Sequence, residues 1–212
     1  MNDDTRRVQK IQERQIADAW HRIETWLRHH APATVPMLRP GASEEQLDAL
    51  QQTLGVRLPA DLKALWRLCA GTYSVPGAAF LWEQWAPMSF PAVIEVYQRH
   101  MLRQQQQQRQ QQNDDEFLIW RAAWIPVCAY AADDHTSGLY LDAETGRLGY
   151  WDRFGERRVE FESLTTYLEE TADALETPAL VTGYKPGLVN GALVWGPPSD
   201  PEQAGLWVPC RG

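Results

Sequence analysis

The chain has 212 residues, enough for one generous domain or one domain with a tail. Its hydrophobic fraction of 44% supports a sizeable core, while a formal net charge of -8, from 28 acidic and 20 basic residues, disfavours a phosphate-backbone ligand and favours a basic protein partner. Three widely spaced cysteines, Cys69, Cys128 and Cys210, argue against a disulfide framework or a zinc knuckle and suit a reducing cytoplasm.

The N-terminal MNDDTRRVQK is charged and lacks the apolar stretch of a signal peptide. No uncharged apolar run approaches the roughly 20 residues of a membrane helix. Ile16, Trp20, Ile23 and Leu27 recur at helical spacing, with Trp26 beside the stripe, so the first segment is expected to be helical as far as Pro32 and Pro36. Ser43 and Gln46 form a capping-box pattern for a second helix. Glu44 and Glu45 lie in its first turn, Leu47, Leu50 and Leu54 form its stripe, and Gly55 stands at its left-handed end. Pro59 opens a third helix, whose inward residues are Leu62, Leu65, Trp66 and Cys69 and which Gly71 stops.

A short strand is expected over 79–82, and a helix from Pro91 with Val93, Ile94, Tyr97 and Met101 on one side. That helix runs into RQQQQQRQQQNDDE, a polar low-complexity stretch near 103–116 with no apolar face. Strand-like runs follow at 124–130, 138–142, 147–151 and 157–161. The turn-rich DDHTSG, AETG and DRFGE between them predict an antiparallel meander. Ser163 caps a last amphipathic helix carrying Leu164, Tyr167, Leu168 and Leu175. After Glu176 the chain is rich in proline and glycine. It still holds Leu193, Val194, Trp195, Leu206 and Trp207, so part of this 176–212 extension is expected to dock on the domain in irregular form.

In this order the elements resemble the SUKH superfamily, the Smi/Knr-type domains. The resemblance is carried by the Trp20, Ile23, Trp26 and Leu27 stripe, PGAS at 40–43, Leu54-Gly55, LPADLKALWRLCAG at 58–71, YLDAETGRLGYWD at 140–152, and the helix after FESL. It covers about residues 16 to 175 and leaves out the Gln-rich insertion and the extension. It implies an α+β fold with a single antiparallel sheet of about four to six strands flanked by helices, in a domain spanning 1–175. It also implies a non-enzymatic role without a cofactor. Bacterial relatives are mostly immunity proteins that bind a toxin domain; fungal relatives are regulatory scaffolds in cell-wall and signalling control.

Candidate chemistry is sparse. GxGxxG, GxxxxGK[ST], GxSxG and HExxH do not occur. Asp133, Asp134 and His135 offer oxygen and imidazole ligands, but adjacent residues rarely converge on one ion and no nucleophile or second cluster accompanies them. A polar turn, or a loop touching a basic partner, accounts for them better. Cys69 on an inward stripe reads as a small core residue rather than a nucleophile, and His29 and His30 suit a helix C-terminus. Trp82-Glu83-Gln84-Trp85 mixes aromatic and polar groups as interfaces do. Asp142, Glu144 and Asp152 would extend an acidic patch if they shared a face. The expected site is therefore a protein-binding surface of Trp82, Glu83, Trp85, Asp133, Asp134, His135, Asp142, Glu144 and Asp152. Its expected partner is a toxin domain, with a basic nuclease-type toxin as one candidate, and no nucleic acid or membrane bound directly.

Overall fold

Helix α1 (Asp3–His30) buries Ile16, Trp20, Ile23 and Leu27 along one stripe, each at most 3% exposed. In the computed structural model, which describes residues 3–75, 77–110 and 118–210, this stripe packs on α3 (Ala60–Leu68) and α5 (Leu164–Glu176). Between α1 and α3, α2 (Glu44–Leu54) starts on a complete capping box. The Ser43 hydroxyl accepts from the Gln46 N–H, and the Gln46 side chain accepts from the Ser43 N–H. It ends on Gly55 in the left-handed region, φ 66°.

The meander forms a five-stranded antiparallel sheet in chain order: β1 (Ala86–Pro87), β2 (Trp124–Ala129), β3 (Ser137–Asp142), β4 (Leu148–Asp152) and β5 (Arg157–Phe161). Cross-strand partners share a face, so the register sorts the side chains. Ile125, Leu141, Leu148 and Phe161 lie on one face, as do Cys128, Leu139 and Tyr150. This face meets α1, α3 and α5: Phe161 lies 4.7 Å from Tyr167, ring centre to ring centre. A void of about 20 Å³ there is lined by Trp20, Trp66, Cys69, Cys128 and Tyr167.

The opposite face carries Tyr140 and Trp151 against helix α4 (Phe90–Gln110). His100 of α4 stacks on Trp120 and meets Trp151 edge-on. Gly138 and Gly149 keep this face flat for those rings. A Cβ on Gly149 would fall 2.3 Å from the Tyr140 ring, and one on Gly138 would fall 2.2 Å from the Cys128 carbonyl oxygen.

Four local expectations need revision. The run over 79–82 is not a strand. It makes only an isolated bridge, Leu81 to Trp85, around a one-turn 3-10 segment, Trp82–Gln84, in which Glu83 and Gln84 adopt φ of 62° and 67°. Helix α3 stops at Leu68 rather than Gly71. Cys69 is extended and buried, and its thiol donates to the Gly71 carbonyl. The buried stripe of α4 runs through Val93, Val96, Tyr97, His100 and Gln104, with Ile94 and Met101 only partly covered. Gln104, inside the low-complexity stretch, accepts from the N–H groups of Ile119 and Trp120, so the stretch carries one buried clamp. Its 111–116 portion lies outside the described residues.

The fourth revision is the largest. The fold is α+β, but the segment after Thr177 is not irregular and adds a second sheet. Strands β6 (Lys185–Val189), β7 (Ala192–Gly196) and β8 (Val208–Pro209) pair antiparallel in the order β7-β6-β8, with a short α6 (Pro201–Leu206) between β7 and β8. Asn190 and Gly191, both at positive φ, make the two-residue turn between β6 and β7. Trp195 anchors this sheet: it is fully buried and its indole N–H donates to the Phe80 carbonyl at 2.9 Å. The buried Thr34 hydroxyl accepts from the Leu193 N–H.

Candidate partner-binding surface

The sheet register separates the nine residues expected to form one surface. Ser137 pairs with Asp152 and Leu141 with Leu148. Asp133, Asp134, His135 and Asp152 therefore gather at one end of the β3–β4 hairpin, and Asp142 and Glu144 at the other, roughly 17 Å apart at 3.4 Å per residue. The single acidic patch does not form.

At the first end three loops meet. The Ser74 hydroxyl donates to the Ala132 carbonyl, and Arg99 donates to the His135 carbonyl at 2.8 Å. Hydrogen bonding to Thr136, with Arg153 nearby, holds the Asp134 carboxyl below the usual range. Asp152 accepts from the N–H groups of Phe154 and Glu156, so its carboxylate closes the β4–β5 turn. At the other end Asp142 does the same for Glu144. These carboxylates are turn-formers first. Among the described residues no group of three or more His, Cys, Asp or Glu side chains is placed to hold a metal ion.

The third location is the 3-10 segment. Trp85 is only 8% exposed and packs on Tyr150, with ring centres 6.1 Å apart, so it is a core residue and unavailable to a partner. Its indole N–H approaches Glu83 closely enough to favour the carboxylate, yet satisfies no full hydrogen-bond geometry. Trp82 differs. It is half-buried, tilts against Phe161 at 6.1 Å, and its carbonyl accepts from the Tyr167 hydroxyl.

Trp82 forms one wall of a groove of about 380 Å³. Glu170, Asp173 and Ala174 of α5 line it further, together with Thr177, Leu180, Val181 and Thr182 from the following segment. The charge is uneven. Asp173 is engaged by Arg22, 2.6 Å away, and Glu160 pairs with Arg158. Glu83 and Glu170 form no ion pair among the described residues. Partial desolvation raises both carboxyls above their ordinary range, and neighbouring carboxylates add to it: Glu160 for Glu83, then Asp173 and Glu83 for Glu170. The groove thus has an aromatic wall, an apolar side that includes Leu180 at 81% exposure, and one carboxylate, Glu170, that forms no ion pair among the described residues, with Glu83 close enough to add to the local negative charge.

Sequence reasoning identified Trp82 and Glu83 but missed Glu170, Asp173, Leu180 and Val181. These lie some ninety residues along the chain, and no local pattern links them to Trp82.

A second groove, of about 420 Å³, runs beside the end of α1 between His21, Trp26, His29 and Glu176. Its groups are already engaged: His30 stacks on Trp26, His29 hydrogen-bonds to the Thr25 carbonyl, and Arg22 holds Glu176.

No helix of the described residues is long and apolar enough to cross a membrane. No curated protein matches the chain significantly. Residues 41–170, more than half the chain, match the model of the SMI1 / KNR4 family (SUKH-1). The match takes in α2, α3, the whole five-stranded sheet and the first half of α5, and stops short of the groove's second wall and the second sheet. The chain belongs to the SMI1 / KNR4 family (SUKH-1), which at the level of the family makes it a protein-binding, immunity-like domain of a generally non-enzymatic kind.

Proposed function

We propose that this protein is an immunity protein that binds a toxin domain in the cytoplasm and neutralises it by covering its active or substrate-binding surface. Family membership supports the binding role. The observation that carries the choice of surface is the groove at Trp82, where a half-buried indole stands beside the Glu170 carboxylate, which forms no ion pair among the described residues. Aromatic anchors in partly desolvated grooves are the usual energetic centres of protein interfaces. A toxin that acts on nucleic acid carries a basic surface, which the net charge of -8 and this groove complement.

The test is to look for a toxin gene beside this one and to co-express its product with this chain. Growth should be rescued and a stable complex isolated. Trp82→Ala should reduce the affinity at least tenfold, about 1.4 kcal/mol, because it removes the anchor while leaving the buried core intact. A toxin that still kills and forms no complex overturns the reading. A growth defect on deletion in cells without the toxin would point instead to a scaffold serving a self protein.

A further inference from the structure

We infer that the Trp82 groove receives a basic segment of the partner, one that places a lysine or arginine side chain beside an apolar residue. This rests on the protein-binding reading above and names what the groove is shaped to accept.

Four features converge on that occupant. The groove volume of about 380 Å³ lies at the small end of ligand sites, so it admits one or two side chains rather than a folded element. One wall is the Trp82 ring, the best face for a cation. Glu170 lines the groove beside it, and burial together with the neighbouring carboxylates of Asp173 and Glu83 raises its carboxyl above the ordinary range. A guanidinium or ammonium beside Glu170 would relieve that repulsion and gain a charge-assisted hydrogen bond. The lining also has an apolar part: Ala174, Val181 and Leu180, the last 81% exposed. That part gives a neighbouring leucine or similar side chain somewhere to be buried, which a free metal ion or a small polyamine would not use.

The second wall also sets specificity. Thr177 to Thr182 lie beyond the residues that match the family, so the apolar half of the groove is a feature of this chain's own extension.

The experiment uses the full chain and two capped pentapeptides, Gly-Leu-Arg-Leu-Gly and Gly-Leu-Glu-Leu-Gly, followed by the Trp82 indole N–H resonance. The arginine peptide should shift it in a saturable way, and the glutamate peptide should bind at least fivefold more weakly. Glu83→Gln combined with Glu170→Gln should weaken the arginine peptide at least fivefold. Leu180→Ser, a change at an exposed residue that does not threaten folding, should weaken it at least twofold. The inference is overturned if the arginine peptide leaves Trp82 unmoved, if both peptides bind alike, or if the folded variants bind like the parent chain. A Trp82 shift that depends on protein concentration without peptide would assign the groove to a second copy and also overturn it. Because no toxin is present, failure here leaves the immunity reading standing on its growth test, and failure of that test leaves the peptide result intact.

Discussion

The imidazole of His100 lies flat on the indole of Trp120, ring centres 4.4 Å apart at an interplanar angle of 12°. His100 is 2% exposed, and neither ring nitrogen has a hydrogen-bond partner among the described residues. Burial, and then the nearby cations Arg157, Arg99 and Arg103, push its pKa down to about 3 from an ordinary 6.5. The folded state therefore keeps His100 neutral where the unfolded chain takes up a proton. Stability contributed by this site is complete above pH 6.5 and falls as the pH drops from there towards 3, by at most about 1.4 kcal/mol per unit. Thermal melts over that interval should show the decline, and His100→Phe should flatten it. At pH 7 the same variant should be neutral or stabilising, since it removes two unpaired polar atoms from an aromatic site. A decline of unchanged steepness in His100→Phe would assign the acid sensitivity elsewhere.

Trp195 should be the most costly single residue of the second sheet. Trp195→Ala leaves a large cavity and strands the Phe80 carbonyl, a loss of about 3–5 kcal/mol. Thr34→Val removes the hydroxyl that accepts from the buried Leu193 N–H, a loss of about 1–3 kcal/mol. In both variants, limited proteolysis should cut first after Glu176. Resistance equal to the parent chain would show that the second sheet is held by other contacts.

Two glycines of the main sheet should differ sharply. A methyl on Gly138 meets the Cys128 carbonyl oxygen, which is backbone and cannot move without breaking the β2–β3 ladder. A methyl on Gly149 meets the Tyr140 ring, a side chain that can tilt at the expense of its stacking on Trp124. Gly138→Ala is expected to abolish folding or lower stability by more than about 3 kcal/mol, and Gly149→Ala by about 1–3 kcal/mol. Denaturant midpoints for the two variants decide the order.

The thiols should also sort by location. Burial pushes Cys69 up to about 12 and raises Cys128 as well, while Cys210 is only partly covered. Alkylation of the native chain at pH 8 should reach Cys210 alone, and all three cysteines in denaturant. Rapid native labelling of Cys69 would contradict its placement beneath the Gly71 carbonyl.

The helix caps, the meander and the main buried stripes were legible in the sequence because each is local. Ser43 with Gln46, Gly55, and Ser163 bonding the Thr166 N–H are signals spanning four residues or fewer. What was not legible depends on distance or on backbone strain. Glu83 and Gln84 sit in the left-handed region without a glycine to announce it, so the run before them reads as a strand. The groove brings Glu170 and Leu180 to Trp82 across most of the domain. Two misses had signals. Asn190-Gly191 between apolar runs is a hairpin signature, and strands of five or six residues already imply that Asp142 and Asp152 stand at opposite ends.

The hydrogen bond from Trp195 to the Phe80 carbonyl joins the last sheet to the residue two places before Trp82. β7 also lies alongside the Trp82–Gln84 turn. A chain trimmed to the stretch its family shares would therefore lose the brace behind the turn that carries Trp82 as well as a wall beside it. Domain shuffling that moved the sheet without its trailing hairpin would yield a different reader of partners, built on the same frame.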